Sequence, residues 1–326
     1  MADAIVMEKV RKTFGEKVAV AGMDLAIPQG ALYGFIGPNG AGKTTSIRMI
    51  MSILFPDSGA LEVLGKASAV ESKDRIGYLP EERGVYKKMK VWDFLTHMGK
   101  LKGIDSQVLR QRIPDWLTRV KLPEVAGKKC EELSKGMQQK IQFIGSVIHE
   151  PDLIILDEPF SGLDPVNMRL LRELIAEEHN RGATVIFSTH VMQQAEQVCD
   201  HIVMIHNGEK MLDSTIEEIR ASHEPTSIAF GLADRAFDPE QLAAVEGVAS
   251  VAQIEGQHEA EIAQGFDGRD VMRQMMNAAP LDRVELRRPT LEDVFINIVQ
   301  GESGDDASLR AQLRGGVATE DEGGES

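Results

Sequence analysis

Three groups of residues in this chain have the types and spacing that phosphate chemistry requires. The first is Gly37-Pro38-Asn39-Gly40-Ala41-Gly42-Lys43-Thr44-Thr45. Its glycines let successive backbone N–H groups turn inward around an anion, because glycine tolerates the dihedrals and leaves no side chain in the way. Lys43 is spaced to reach the β- and γ-phosphates of a nucleotide, and the Thr44 hydroxyl to hold Mg²⁺. The second group is Asp157-Glu158. Asp157 is placed to hold Mg²⁺, usually through water, and Glu158 to polarise the water that attacks a γ-phosphate. The third is Leu133-Ser134-Lys135-Gly136-Met137, in which Ser134 reads as a helix N-cap and Gly136 keeps backbone N–H groups accessible to an anion. Each group alone has a plainer reading: a Gly-rich turn, a pair of capping carboxylates, an ordinary capped helix. A P-loop, moreover, says only that a nucleotide binds.

The elements that must position these residues are legible around them. Residues 31–36 form an apolar, aromatic-bearing run that reads as a buried strand entering the glycine loop, and residues 46–51 continue from it as an amphipathic helix. Four apolar residues, Leu153 to Leu156, deliver Asp157 and Glu158 to the C-terminal edge of a strand, where open α/β sheets bind ligands. Residues 4–10 and 23–27 read as short strands flanking a turn at Phe14-Gly15-Glu16-Lys17, and Phe14 offers a ring that could stack on an adenine face or merely pack on the sheet. Further strands are expected at 61–65 and 75–80. Residues of about 88–150 then show helical periodicity throughout, a helical insertion in an α/β core. The alternation resumes with a helix over about 167–180, a strand over 184–188, a helix over about 192–199 and a strand over 202–205. Near-continuous apolar strands alternating with helices imply a buried parallel sheet covered on both faces.

The alternation weakens after Ser222. Strands near 227–230, 248–251, 260–263 and 284–286, with helices near 238–245 and 269–278, give the order β-α-β-β-α-β of a small, ferredoxin-like α+β domain over 223–300, closed by a helix over about 290–299. Residues 301–326, rich in Gly, Glu, Asp and Ser, read as a disordered acidic tail.

Composition bounds the function. The 326 residues allow two domains, the first over 1–222, and 42% hydrophobic with 27% charged residues is an ordinary globular balance. The net charge of −15, with no long Lys/Arg run, argues against nucleic acid as a partner. Cys130 and Cys199 lack metal-ligand spacing and fit reduced thiols in a cytosolic protein. No apolar run approaches the ~18 residues of a membrane span, so a membrane role is expected to come through a partner.

Taken with Ser161-Gly162-Leu163-Asp164-Pro165 and with His190 at the end of Ser188-Thr189-His190, the motif set over residues 4–220 resembles, in order and spacing, the nucleotide-binding subunit of an ABC transporter. The resemblance implies a P-loop NTPase core with a parallel sheet, an antiparallel β subdomain and a helical insertion. It implies ATP and Mg²⁺ as cofactors, and a head-to-tail homodimer in which each ATP lies between the residues 37–45 of one copy and Ser134 and Gly136 of the other. Asp164 would connect the two sites, His190 would contact the γ-phosphate, and Phe14 would stack on adenine. A separate integral-membrane permease would be energised by dimer closure, placing the chain on the cytoplasmic face of the plasma membrane. Two departures stand out. The usual LSGGQ reads Leu133-Ser134-Lys135-Gly136-Met137, and Glu81 in Gly77-Tyr78-Leu79-Pro80-Glu81 stands where the family usually has glutamine. A carboxylate at Glu81 can still ligate Mg²⁺ and position water. These departures and Arg288-Pro289-Thr290-Leu291-Glu292-Asp293-Val294-Phe295 look like the branch of exporters typified by sodium-extruding and drug-resistance ATPases. The rival reading is a regulatory ATPase of the same type, not coupled to transport.

Overall fold

The structure, a computed structural model, describes residues 2–303 apart from 83, 235 and 255. The chain divides into two compact units, Met1–Thr215 and Ile216–Gly304. In chain order the first contains β1 (Asp3–Phe14), β2 (Lys17–Pro28), β3 (Leu32–Ile36), α1 (Lys43–Ile50), β4 (Ser58–Val63), β5 (Ile76–Leu79), α2 (Val91–Leu101), α3 (Ser106–Arg119), α4 (Lys135–Val147), β6 (Leu153–Asp157), α5 (Pro165–Asn180), β7 (Thr184–Thr189), α6 (Met192–Glu196), β8 (His201–His206) and β9 (Glu209–Thr215).

Two sheets organise this unit. The larger has the order β5-β6-β7-β3-β8-β9, in which β5 to β8 run parallel and β9 pairs antiparallel with β8. Every residue of β3, β6 and β7 is buried, as expected of parallel strands covered on both faces. The smaller sheet, β2-β1-β4, is antiparallel and rests its inward residues, among them Ile5, Met7, Val20 and Ile27, on the same core as Phe35, Ile47 and Ile155. The hairpin turn falls between Phe14 and Lys17, with Gly15 in the left-handed region at φ 59°. The edge strand β9 lies outside the expected strands, because Glu209–Thr215 is only half-buried and carries no apolar run. Its signal was the turn: Asn207-Gly208, both at positive φ, is the pair that a tight hairpin demands. Other boundaries shift by a few residues. Helix α5 starts at Pro165 because Asp164 caps it, and α6 stops at Glu196 rather than near 199.

Helices α2 to α4 form the insertion. Phe94, Leu95, Ile113, Trp116, Leu117, Phe143 and Ile144 are all buried, and the Trp116 and Phe143 rings meet edge to face at 6.2 Å. Helix α4 runs into β6, so one continuous segment carries Ser134 at its start and Asp157 at its end.

The second unit contains α7 (Ile216–Ser222), β10 (Ser227–Leu232), β11 (Val248–Ile254), β12 (Gln257–Ile262), α8 (Gly268–Ala278), β13 (Leu281–Arg287) and α9 (Leu291–Ser303). Its sheet has the order β11-β12-β10-β13 with every neighbouring pair antiparallel, which is the ferredoxin-like arrangement. Ile228, Phe230, Leu242, Ala260, Val271 and Met275 make its core. The first crossover is a 3₁₀ helix, Pro239–Ala244, where an α-helix over 238–245 is expected; six residues capped by Asp238 are too few to settle into α geometry. Helix α9 extends to Ser303, three residues into the expected acidic tail, and residues 304–326 lie outside the described residues.

Candidate functional site

The site is built at the C-terminal ends of β3, β6 and β7. The loop after β3 turns through Gly37 (φ 149°), Gly40 (φ 81°) and Gly42 (φ 113°). Two of these positions admit nothing larger: a Cβ at Gly37 would lie 2.1 Å from the Ile205 carbonyl oxygen, and one at Gly42 would lie 2.4 Å from that of Ala19. The loop is thus clamped between β8 and β2, and α1 points its N-terminus into the space it encloses. Lys43 is buried in this loop, its Nζ donating to the carbonyls of Gly37 (2.7 Å) and Pro38 (3.1 Å). Burial draws its pKa down, while Glu158, Asp157 and Glu81 work in the opposite direction.

Strand β6 ends with Asp157 beside Ser188 of β7. The Ser188 hydroxyl donates to Asp157 Oδ1, and Thr44 Oγ1 approaches the same oxygen at 3.4 Å. Glu158 follows at φ 46°, a left-handed conformation unusual for a side-chain-bearing residue and found where a site over-determines the backbone. Its N–H meets the carbonyl and the hydroxyl of Ser188, each at 3.2 Å. Its Oε1 accepts from the His190 backbone N–H at 3.0 Å and lies 2.9 Å from His190 Nδ1. Strand pairing of β6 with β7 therefore orients both carboxylates.

A cleft of about 190 Å³ opens over the loop. Of the expected residues it gathers Phe14, Asn39, Gly40, Gly42, Lys43, Thr44, Thr45, Glu81 and Glu158, with Gly37, Pro38 and Ala41 supplying the loop beneath. Phe14 is 49% exposed at the cleft's edge, with Lys12 Nζ over its ring at 5.6 Å from the centroid. Glu81 sits on the rim, its pKa raised by burial and then by the charges of Asp157 and Glu158. Asp157 is likewise pushed up, chiefly by burial. Three carboxylates faced by Lys43 make a site that favours an added cation. Thr44 and Asp157 offer the hydroxyl and carboxylate oxygens that suit Mg²⁺. Among the described residues no cluster of three metal-ligating side chains exists, so such an ion would complete its shell with nucleotide phosphates and water.

Ser134, Gly136 and Asp164 stand apart from this cleft. Ser134 Oγ accepts from the Met137 N–H at 3.3 Å at the start of α4, and Asp164 Oδ1 from the Asn167 N–H at 2.9 Å at the start of α5. A Cβ at Gly136 would lie 3.5 Å from Asn167 and 3.6 Å from Leu163, so the two helix starts are neighbours. Ser134 and Asp164 are exposed.

Four contributors lay beyond the sequence reading. Lys17 and Ala19 of β2 line the cleft, Ser188 joins the Asp157 carboxylate to the Glu158 backbone N–H, and buried Gln139 donates to the Pro159 carbonyl at 2.6 Å, tying α4 to the segment after β6. None carries a local signature; each acts by adjacency between strands or helices distant in sequence.

The His190 imidazole has its pKa raised above 6.5, first by its hydrogen bond to Glu158. A raised folded-state value contributes stability in full below the unfolded value and loses it as pH rises through the folded one. The stability advantage of the parent over His190→Asn is therefore expected to be greatest below about pH 6.5 and to shrink above it. Urea unfolding of both proteins from pH 6 to 9 checks this, and a difference constant with pH would contradict it.

Together, fold and site define a P-loop nucleotide triphosphatase. Its family is equally plain: the chain belongs to the ABC transporter ATP-binding proteins and is an ATPase. Residues 20–161 match the ABC transporter family model, and residues 215–299 match the C-terminal domain of DrrA1-3-like ATP-binding proteins. An uncharacterized ABC transporter ATP-binding protein of Bacillus subtilis, YhaQ, is 38% identical over 90% of this chain and 98% of its own length. The Nod factor export ATP-binding protein I of a Rhizobium species is 30% identical over 90% of this chain and 96% of its own. A solved ATP-binding subunit of an ABC transporter superposes with a TM-score of 0.62 at 28% identity, covering 67% of this chain and 92% of that one. The C-terminal match agrees with the branch that the Glu81 and Lys135 departures, with residues 288–295, resemble.

Proposed function

We propose that two copies of this chain close head to tail on two ATP molecules and that the motion drives export through a separate integral-membrane permease at the cytoplasmic face of the membrane. The observation that carries the reading is the split between the cleft, with its loop, Asp157 and Glu158, and the helix start of exposed Ser134 and half-buried Gly136 outside it. An ATP held by one copy would be finished by the other, so closure and nucleotide binding are linked.

Within each half, Lys43 leaves the carbonyls of Gly37 and Pro38 to engage the β- and γ-phosphates. Phe14 stacks on the adenine, and the loop N–H groups of residues 37–45 hold the phosphates. Bound at Thr44 and Asp157, with Glu81 on the rim, Mg²⁺ would neutralise phosphate charge. Glu158, fixed by Ser188 and His190, takes the proton of the attacking water, and His190 contacts the γ-phosphate. The Ser134 and Gly136 amides of the other copy add donors to the transferring group, and Asp164 links the two sites. Export is the direction named for the Nod factor relative and is proposed here by that likeness.

The test is the oligomeric state of Glu158→Gln with ATP and Mg²⁺ in analytical ultracentrifugation. A nucleotide-dependent dimer is expected. A chain that remains monomeric, alone and reconstituted with its membrane partner, would overturn the reading. Co-purification of an integral-membrane protein separates transport from a regulatory role.

A further inference from the structure

Residues 86–91 and 126–130 together hold Lys87, Lys88, Lys90, Lys128 and Lys129 and no carboxylate. The fold brings these two segments side by side. The Val91 N–H donates to the Lys128 carbonyl at 2.9 Å, that of Cys130 to Met89 at 2.9 Å, and that of Glu131 to Lys87 at 3.0 Å. Lys90 and Lys129 face each other across an isolated antiparallel bridge. All five residues are exposed. Lys129 comes within 3.7 Å of Glu131, and the other four form no ion pair among the described residues. At the head of this ridge Tyr86 is 53% exposed, its ring edge-on to Phe94 and His97.

Five like charges on adjoining segments repel one another, and they do so in a chain whose formal charge is −15. An arrangement of this kind gains stability when an anionic surface covers it. The chemistry of the ridge narrows the surface. It contains lysine only, a compact charge on a flexible stem, where recognition of one carboxylate or phosphate in a fixed geometry favours the arginine fork. Lysines of this density suit a diffuse field averaged over many anions, as a layer of acidic headgroups presents. Tyrosine, with an apolar ring and a polar tip, suits the same water–headgroup boundary.

We infer that the lysine ridge of residues 87–90 and 128–129 lies against anionic phospholipid headgroups. The inference rests on the proposed place of the chain at a membrane face and adds a direct contact with the lipid, besides the one through the permease. The remainder of the surface, carrying the excess negative charge, is repelled by the same headgroups, so the ridge also sets which side approaches.

The experiment uses the full chain without nucleotide or permease. Co-sedimentation with vesicles of phosphatidylcholine and phosphatidylglycerol is expected, with none on phosphatidylcholine alone, and binding should fall steeply between about 0.05 and 0.5 M salt. K87Q/K88Q/K90Q should lower partitioning by about tenfold or more, whereas K9Q/K66Q/R269Q, with equal charge removed from exposed positions elsewhere, should change it less than about twofold. Unchanged ATPase rate and melting temperature of the ridge variant show that it folds. Absence of binding by the parent, or equal binding by the two triple variants, overturns the inference. If the parent ignores vesicles and K87Q/K88Q/K90Q loses only co-purification with an integral-membrane protein, the ridge is a protein interface and the lipid assignment falls. The transport reading fails separately, when no membrane protein co-purifies although vesicle binding persists.

Discussion

Glu158→Gln is expected to reduce steady-state ATP hydrolysis by at least about a hundredfold while leaving ATP affinity unchanged. The geometry makes this substitution clean. Glu158 Oε1 accepts from both the backbone N–H and the ring side of His190, and the amide oxygen of glutamine can accept from the same groups at the same place. What the amide cannot do is take a proton from water. Loss of turnover would thus report loss of base function and not collapse of the site. Phosphate release measured beside calorimetric ATP titration decides it. Turnover at the parental rate would remove Glu158 from its role, and a fall in affinity equal to the fall in rate would show that the carboxylate instead supports the bound state.

The second large effect is steric. Gly37→Ala places a methyl group 2.1 Å from the Ile205 carbonyl oxygen, and neither neighbour can withdraw. Strand β8 is locked beside β3 through the pairs Phe35 with Val203 and Ile36 with Met204, one residue before the loop begins. The loop must reshape, and with it the array of N–H groups that would hold phosphate. We expect stability to fall by about 2–3 kcal/mol and ATP affinity by about a hundredfold or more. Gly40→Ala is the internal control. Gly40 also has positive φ, but its Cβ would meet only Lys17 Nζ, at 3.9 Å, so the cost there is the left-handed strain of about 1–2 kcal/mol without a collision. Urea unfolding and ATP binding of both variants separate the two causes. Equal losses would mean that conformation alone, and not the clamp against β8, makes Gly37 necessary.

The sequence by itself determined the contiguous segments that carry the site. A strand, loop and helix read continuously from Leu32 through Lys43 to Ile50 place the glycine loop, because dihedral freedom and hydrophobic period are properties of neighbouring residues. The same holds for the apolar run ending at Asp157 and for the cap at Ser134. The β-α-β-β-α-β order of the second unit was legible for that reason too, although six residues capped by Asp238 form a 3₁₀ turn where a longer helix was expected. The antiparallel edge strand β9 escaped, since its half-buried residues carry no apolar pattern and only Asn207-Gly208 marked the turn into it.

Only the tertiary structure decided which distant groups meet. That β6 lies beside β7 puts Ser188 against Asp157 and His190 against Glu158; that β2 folds over the loop brings Lys17 and Ala19 to the cleft. The pairing of residues 87–91 with 128–131 gathers five lysines from two short segments nearly forty residues apart into one ridge. Spacing along a chain fixes the chemistry a segment can offer, whereas strand order and register, set by the burial of whole faces, fix the company it keeps.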